Sequence, residues 1–216
     1  MKIIKTPILN DITDSEWEQM LELLCVRTDK YAKNTVIFRA GMTVCEIGIV
    51  NSGSVNIENI DPWGNKSILG NVSAGGVFAE TYALCKEPMT VYAVAAENSE
   101  IVFLNIDRLL SAENSEYTWY LKLLKNILTV SSQKNLALSS RIFFTGSKTV
   151  RGRVSAYFSA IYTKTGRATF QIPFNRQQMA DYLGVERSAL SKELCKMRDD
   201  GLIDFYKNTF KIKKPL

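Results

Sequence analysis

Residues 175–212 read NRQQMADYLGVERSALSKELCKMRDDGLIDFYKNTFKI, and their spacing decides how the chain is built. Ala180 stands four residues before Gly184, with Val185 next and Leu190 beyond. A small residue where two helices touch, a glycine in the tight turn and apolar residues seating a second helix make a helix-turn-helix. Leu190, Leu194 and Met197 recur at i, i+4 and i+7, so they share an inward face. Arg187, Ser188, Ser191 and Lys192 then face outward. Gly201 ends the helix, and DFYKNTFKI reads as two strands around Lys207-Asn208, a wing. A helical hairpin with a merely solvated face would leave that wing without a purpose.

Charge singles out the same region. Residues 1–145 hold 13 Lys and Arg against 16 Asp and Glu, a net charge of −3, whereas residues 146–216 hold 14 against 6, a net charge of +8. A compact basic segment behind a mildly acidic one is the electrostatic footprint of a nucleic-acid binder.

Composition closes several other classes. The chain has 216 residues, enough for one large or two small domains with a real core. No apolar run approaches the ~18 residues of a membrane span, and MKIIKTPILND has neither a long apolar segment nor a small-residue cleavage site. No membrane partner and no signal peptide are expected, and the location implied is cytoplasmic. Histidine is absent, which removes His-ligated metal and haem and any Ser-His or Cys-His nucleophile. No catalytic residue, metal site or cofactor is predicted. Cys25, Cys45, Cys85 and Cys195 lie far apart and form no CxxC pair, so they read as buried free thiols.

Upstream, Thr13 and Glu16 form a capping box before a helix carrying Trp17, Met20, Leu21 and Leu24 on one face. From Lys33 to Leu104, short apolar runs (VIF, IGIV, VNIENI, SIL, VF, VYAV, IVFL) alternate with turn residues such as Asn51-Ser52-Gly53 and the DPWGN turn. Many short strands at regular spacing predict a β-roll, a cupin-like jelly roll. From Tyr117 to Ile142 there is no Gly or Pro. Tyr117, Leu121, Leu124, Leu128, Ser131, Asn135, Leu138 and Ile142 follow spacings of four and three, a heptad seam on a helix roughly 40 Å long. Leu123, Ile127 and Val130 form a second stripe. Two stripes need two partners, so one packs on the roll and the other on a second copy of the chain. Ser131 and Asn135 interrupt the seam and fix its register. After Gly146, a further helix from about Lys148 to Thr163 precedes a strand, ATFQIPF.

In this order the parts resemble the Crp/Fnr family of bacterial transcription regulators. The class is α+β. The domains are an effector-sensing β-roll (1–114), a dimerisation helix (115–145) and a winged helix-turn-helix (146–216). The resemblance covers the whole chain and is most specific from Asn175 to Ile203; in the roll it rests on turn pattern more than on residues. It implies a homodimer on double-stranded DNA at a two-fold-symmetric operator, an effector in the roll, and RNA polymerase as a partner of any activator.

Residue by residue, the carry-over is uneven. In cyclic-nucleotide-binding members, the stretch matching FAETYALCKEPMTV reads Gly-Glu-Leu, then Arg-Ser; the glutamate takes the ribose hydroxyl and Arg-Ser the cyclic phosphate. Glu80 keeps the glutamate, Ala79 replaces the glycine, and Thr90 and Val91 stand where Arg-Ser would be. Thr and Val cannot reproduce a bidentate, charge-assisted phosphate contact, so the effector expected is not cyclic AMP. Glu80, Tyr82, Thr90 and Val91, with Ser131 and Ser132 from the helix segment that closes over the base in those members, form the expected effector pocket. Glu80 bonding turn amides is the structural alternative. Iron–sulfur members carry an N-terminal cysteine cluster where this chain has only Cys25, and haem members rely on histidine.

For DNA, Arg187 is expected on guanine, because a planar fork reaches O6 and N7 together. Ser188, Ser191 and Lys192 share its face. Glu186 either accepts from a cytosine amine or steadies the helix N-terminus. The family's usual glutamate at the position of Ser188 is missing, which implies an altered half-site. Arg176, Lys207 and Lys211 are expected on phosphates. Two other readings stand beside this one: the same regulator switched by oxidation at Cys45, Cys85 or Cys195, and a cupin-like enzyme, for which a roll without histidine lacks the usual metal ligands.

Overall fold

The structure, a computed structural model, describes every residue except Met1, Pro62, Gly64 and Asn65. The DPWGN turn falls on three of these, and its conformation lies outside the described residues. The chain divides into two compact units, Met1–Gln133 and Lys134–Leu216.

After a 3-10 turn at Pro7–Leu9, the first unit has α1 (Asp14–Leu23), begun by the Thr13–Glu16 capping box in both its hydrogen bonds. Eight strands follow: β1 (Arg27–Tyr31), β2 (Val36–Phe38), β3 (Glu46–Ser52), β4 (Ser54–Ile60), β5 (Lys66–Ser73), β6 (Val77–Phe78), β7 (Tyr92–Ala95) and β8 (Ser99–Asn105), with α2 (Glu80–Cys85) after β6 and α3 (Ile106–Leu109) after β8. They form two antiparallel four-stranded sheets, ordered β1-β8-β3-β6 and β2-β7-β4-β5. This is the expected roll. Its interior is aromatic: Phe38 meets Phe78 at 5.9 Å and Phe103 at 5.7 Å between ring centroids. Gly48 makes room for this, since a Cβ there would sit 2.3 Å from the Phe78 ring.

The long helix α4 (Thr118–Thr145) starts one residue later and ends three later than the sequence predicts. Tyr117 lies just before it, stacked on Trp119 at 5.5 Å. Trp119, Leu123 and Ile127 are buried in the core of the roll, with Leu124 and Val130 packed partly against it. Thr118 and Lys122 both donate to the buried Glu16 carboxylate, at 2.6 and 2.8 Å, fastening the start of α4 to α1.

The second unit contains α5 (Val150–Thr165), β9 (Thr169–Gln171), α6 (Arg176–Leu183), α7 (Arg187–Asp199), β10 (Ile203–Tyr206) and β11 (Thr209–Ile212). Its sheet runs β10-β11-β9, so the strand read from ATFQIPF completes the wing. Phe144 from the end of α4, Tyr157, Phe158, Phe170 and Phe210 share its core.

One expectation fails here. All four cysteines are exposed. Each sits at an element end or on an outward helix or loop position, where sequence spacing alone gives no burial signal.

Candidate nucleic-acid interface

The helix-turn-helix is held by local bonds that its sequence supplies. Asn175 and Gln178 form a reciprocal capping box on α6, each side chain bonded at 2.9 Å to the other's backbone amide. Gly184 closes α6 in the left-handed conformation (φ 62°), where a Cβ would be strained. Met179, Ala180, Leu183, Leu190, Leu194 and Met197 are fully buried between the helices, which is the platform the spacing predicts.

Above that platform α7 displays its polar face. Arg187, Ser188 and Lys192 are exposed and Ser191 half-buried. Glu186 is the N-cap: its carboxylate accepts from the Ala189 amide at 3.2 Å and from the Ser188 hydroxyl. Those two bonds, the Ser188 one foremost, hold the Glu186 carboxyl below its ordinary pKa. One oxygen of the Glu186 carboxylate, Oε2, thus takes both bonds at the helix start, and the Ser188 hydroxyl is bonded to it.

The wing brings the expected cations to the same unit. Lys207 sits exposed at its tip in a left-handed conformation (φ 52°), and Lys211 is exposed on β11. Arg176 is half-buried. Its guanidinium lies over the Phe205 and Phe210 rings, at 5.0 and 5.1 Å, and donates to the Lys207 carbonyl at 3.2 Å. Burial lowers its pKa. Arg176 thus anchors the wing to α6. A cleft of about 570 Å³ is lined by Asn175, Arg176, Gln178, Lys207 and Asn208, with Pro173 and Phe174.

Two arginines that sequence spacing does not mark also touch this motif. Arg153 on α5 donates to the carbonyls of Ser147 (2.8 Å), Leu183 (3.0 Å) and Gly184 (2.7 Å). Arg141 on α4 donates to the Asp181 carbonyl at 3.2 Å. Their partners are main-chain atoms, which any residue would offer, so no sequence pattern announces the contacts.

In the roll, Glu80 is buried as the first residue of α2, behind Ala79 in a left-handed conformation (φ 64°). The Tyr82 and Thr90 hydroxyls are hydrogen-bonded at 2.7 Å, and Val91 packs at the edge of the core. Tyr82 and Thr90 are thus brought together. Ser131 is half-buried and Ser132 exposed, both on α4. Lys86, the one cation between Glu80 and Val91 in sequence, pairs with Asp107 at 3.2 Å. Along the seam, Leu121, Leu128, Leu138 and Ile142 are 61–72% exposed, Tyr117 is 38% exposed and Asn135 is exposed. Leu124 is the member turned toward the core of the roll. No helix among the described residues is long and apolar enough to cross a membrane.

Comparison with known proteins agrees with this architecture. The cyclic nucleotide-binding domain model matches residues 28–115, and the Crp-like helix-turn-helix domain model matches residues 152–215. The probable transcriptional regulator flp of Lacticaseibacillus casei is 28% identical over 78 residues, an alignment spanning 36% of this chain and 36% of that relative. The catabolite activator protein of Thermus thermophilus shares the fold with a TM-score of 0.53 at 20% identity, over 96% of this chain and 93% of that one. A CooA mutant from Carboxydothermus hydrogenoformans does so with 0.57 at 17% identity, over 99% and 93%. Two domains matched in the order roll then helix-turn-helix, on a fold shared along nearly the whole length, place the chain in one group: it belongs to the Crp/Fnr family of transcription regulators.

Proposed function

We propose that this protein is a homodimeric, sequence-specific regulator of transcription that binds double-stranded DNA at a two-fold-symmetric operator. The observation that carries the reading is the exposed Arg187, Ser188 and Lys192 face of α7, standing on a fully buried base of Leu190, Leu194 and Met197. The N-terminal end of α7 enters the major groove. Arg187 takes guanine O6 and N7. Ser191 and Lys192 border that contact, and Glu186 with Ser188 keeps the helix end in shape. Lys207 and Lys211 neutralise phosphates, and Arg176 adds the donors that its bond to the Lys207 carbonyl leaves over.

The second copy is the occupant of the α4 seam. Aliphatic side chains exposed at heptad spacing over residues 121–142 are complementary to themselves across a two-fold axis. In this division of labour residues 1–114 sense, 115–145 pair and 146–216 bind DNA. The effector in the roll is an uncharged or cationic small molecule rather than cyclic AMP, because the Tyr82–Thr90 hydroxyl pair offers no guanidinium to a phosphate. Its contacts are Glu80, Tyr82, Thr90, Val91, Ser131 and Ser132. The protein works in the cytoplasm by binding and not by turnover, with RNA polymerase as its further partner where it activates.

Selection of bound duplexes from random DNA, with and without a cell extract, tests this. An enriched palindromic site is the expected result, and no enrichment in either arm overturns it. Calorimetry with cyclic AMP should show no binding. A second reading, control by thiol oxidation, is favoured by the exposure of all four cysteines, Cys195 on α7 included. It requires operator binding to be lost in mild peroxide and restored by reductant.

A further inference from the structure

We propose that Arg153 and Arg141 are positioning residues for DNA reading: their guanidinium groups cap the carbonyl end of α6 and thereby fix the angle at which α7 is presented. The inference rests on the reading that α7 is the DNA-reading helix.

An α-helix leaves its last carbonyls without intrahelical donors. In α6, Arg153 takes two of the carbonyls at this end with one nitrogen, Leu183 at 3.0 Å and Gly184 at 2.7 Å, while its Nε donates to Ser147 at 2.8 Å. Ser147 lies in the link between α4 and α5. One planar group therefore ties that link to the turn of the helix-turn-helix. Lysine, with a single ammonium, cannot span the three acceptors in this way. The turn is shaped for the contact: a Cβ on Gly184 would lie 3.3 Å from Arg153 Nη1 and 3.7 Å from Thr145 Cγ2. The positive charge also sits at the negative end of the α6 dipole.

Arg141 adds the connection to the seam. It donates to the Asp181 carbonyl, and Phe144, three residues on, packs its ring 6.3 Å from Tyr182 of α6 and 5.5 Å from Tyr157 of α5. Leu138 and Ile142, on the same turns of α4, are 61% and 72% exposed. The end of α4 thus grips α6 with one face and offers apolar side chains with the other. A shift of α4 along its pairing seam carries α6 with it, and α7 follows through the turn.

The test uses the full chain, with Arg153→Lys and Arg141→Lys, which keep the charge and lose the fork. Affinity is measured for the selected operator and for random duplex at one salt concentration, beside amide hydrogen exchange of the free protein. For Arg153→Lys, operator affinity should fall about tenfold while affinity for random duplex stays within about twofold, since non-specific binding depends on charge alone. Arg141→Lys should show the same pattern at about threefold. In both, the Gly184 and Val185 amides should exchange at least about tenfold faster. An unchanged operator-to-random ratio overturns the proposal, even where the melting temperature drops, because stabilisation alone would not move that ratio. Wild-type protein with no operator preference would instead refute the DNA-reading function. Amide exchange in the variants then still reports whether the two arginines hold the turn. Should Arg153→Lys fail to fold, Arg141→Lys, at an exposed position, decides.

Discussion

The two compact units treat charge in opposite ways. Among the described residues, every buried polar or charged side chain (Thr6, Glu16, Glu58, Glu80, Ser99 and Asn114) lies in the first unit. The buried residues of the second are apolar or aromatic without exception, and its cations are exposed or half-buried, Arg153 and Arg176 with donors on main-chain carbonyls. A buried carboxylate is stabilised where donors surround it, as the Thr13 amide, Thr118 and Lys122 surround Glu16, so the first unit holds polar groups in specific internal contacts. The second needs its interior only as a stiff base for groups that meet another molecule. The difference teaches where each unit is sensitive: the roll to whatever perturbs its interior, the helix-turn-helix to whatever perturbs its surface.

The largest effect expected comes from the one feature that runs through both units, the α4 seam. Leu128→Lys combined with Ile142→Lys should turn dimers into monomers in sedimentation equilibrium. Operator affinity should drop at least about a hundredfold, because two half-sites no longer share one binding event. Melting should fall and lose its dependence on protein concentration, since association of folded copies stabilises them by mass action; the substitutions themselves add little, because both side chains are about 70% exposed in the single chain. A stable dimer would remove the seam from the comparison.

Next comes the surface of the second unit. Arg187→Ala should cost about 1–3 kcal/mol on the operator and relax preference at one base pair per half-site. Lys211→Ala should weaken all sequences alike and lower the salt slope by about one. Equal loss on operator and random DNA for Arg187→Ala would end its role as a base reader.

A smaller effect belongs to the interior of the first unit. Lys122, then Thr118 and the Thr13 amide, hold the Glu16 carboxyl down from its ordinary 4.5 to about 2. A folded-state pKa below the unfolded one stabilises the fold above about pH 4.5, and the contribution is lost as pH falls toward 2. Glu16→Gln should therefore cost about 1 kcal/mol at neutral pH, after discount for screening by water, and should flatten the acid limb between those values. Denaturant melts of both proteins at pH 7 and pH 3 check this. The smallest change is a gain. Ala79 is left-handed, which costs a residue with a Cβ about 1–2 kcal/mol, partly offset by the chain entropy of glycine. Ala79→Gly should stabilise by about 0.5 kcal/mol in the same melts.

The two units also differ in how much the sequence discloses. The helix-turn-helix is legible because the 3.6-residue period and the glycine turn fall within 38 consecutive residues, inside a segment, 146–216, whose net charge is +8. The two strands of the wing read equally well; ATFQIPF reads as a strand, but its pairing with β11 is not legible. In the roll, apolar runs mark β2 to β8, but the pairing of β1 with β8 or β2 with β7 joins segments about 55–76 residues apart, and local pattern holds no record of it. β1, RTDKY, has no apolar run to betray it. The short helix α2 is also hidden, because it begins from a left-handed alanine and not from a polar cap. Leu124 shows the reverse problem: the heptad spacing enrols it in the seam, yet it is half-buried against the core of the roll, beside the buried Leu123.

The placement of Phe144 has a practical consequence for anyone cutting the gene. Its ring belongs to the aromatic core of the second unit, and Arg141 reaches Asp181 from the same, last turn of α4. A recombinant fragment begun after Gly146 would discard both, uncovering the side of Tyr157 and Tyr182 that Phe144 covers, and should come out of expression poorly soluble. A fragment begun at Lys134 carries its own plug and should remain dispersed.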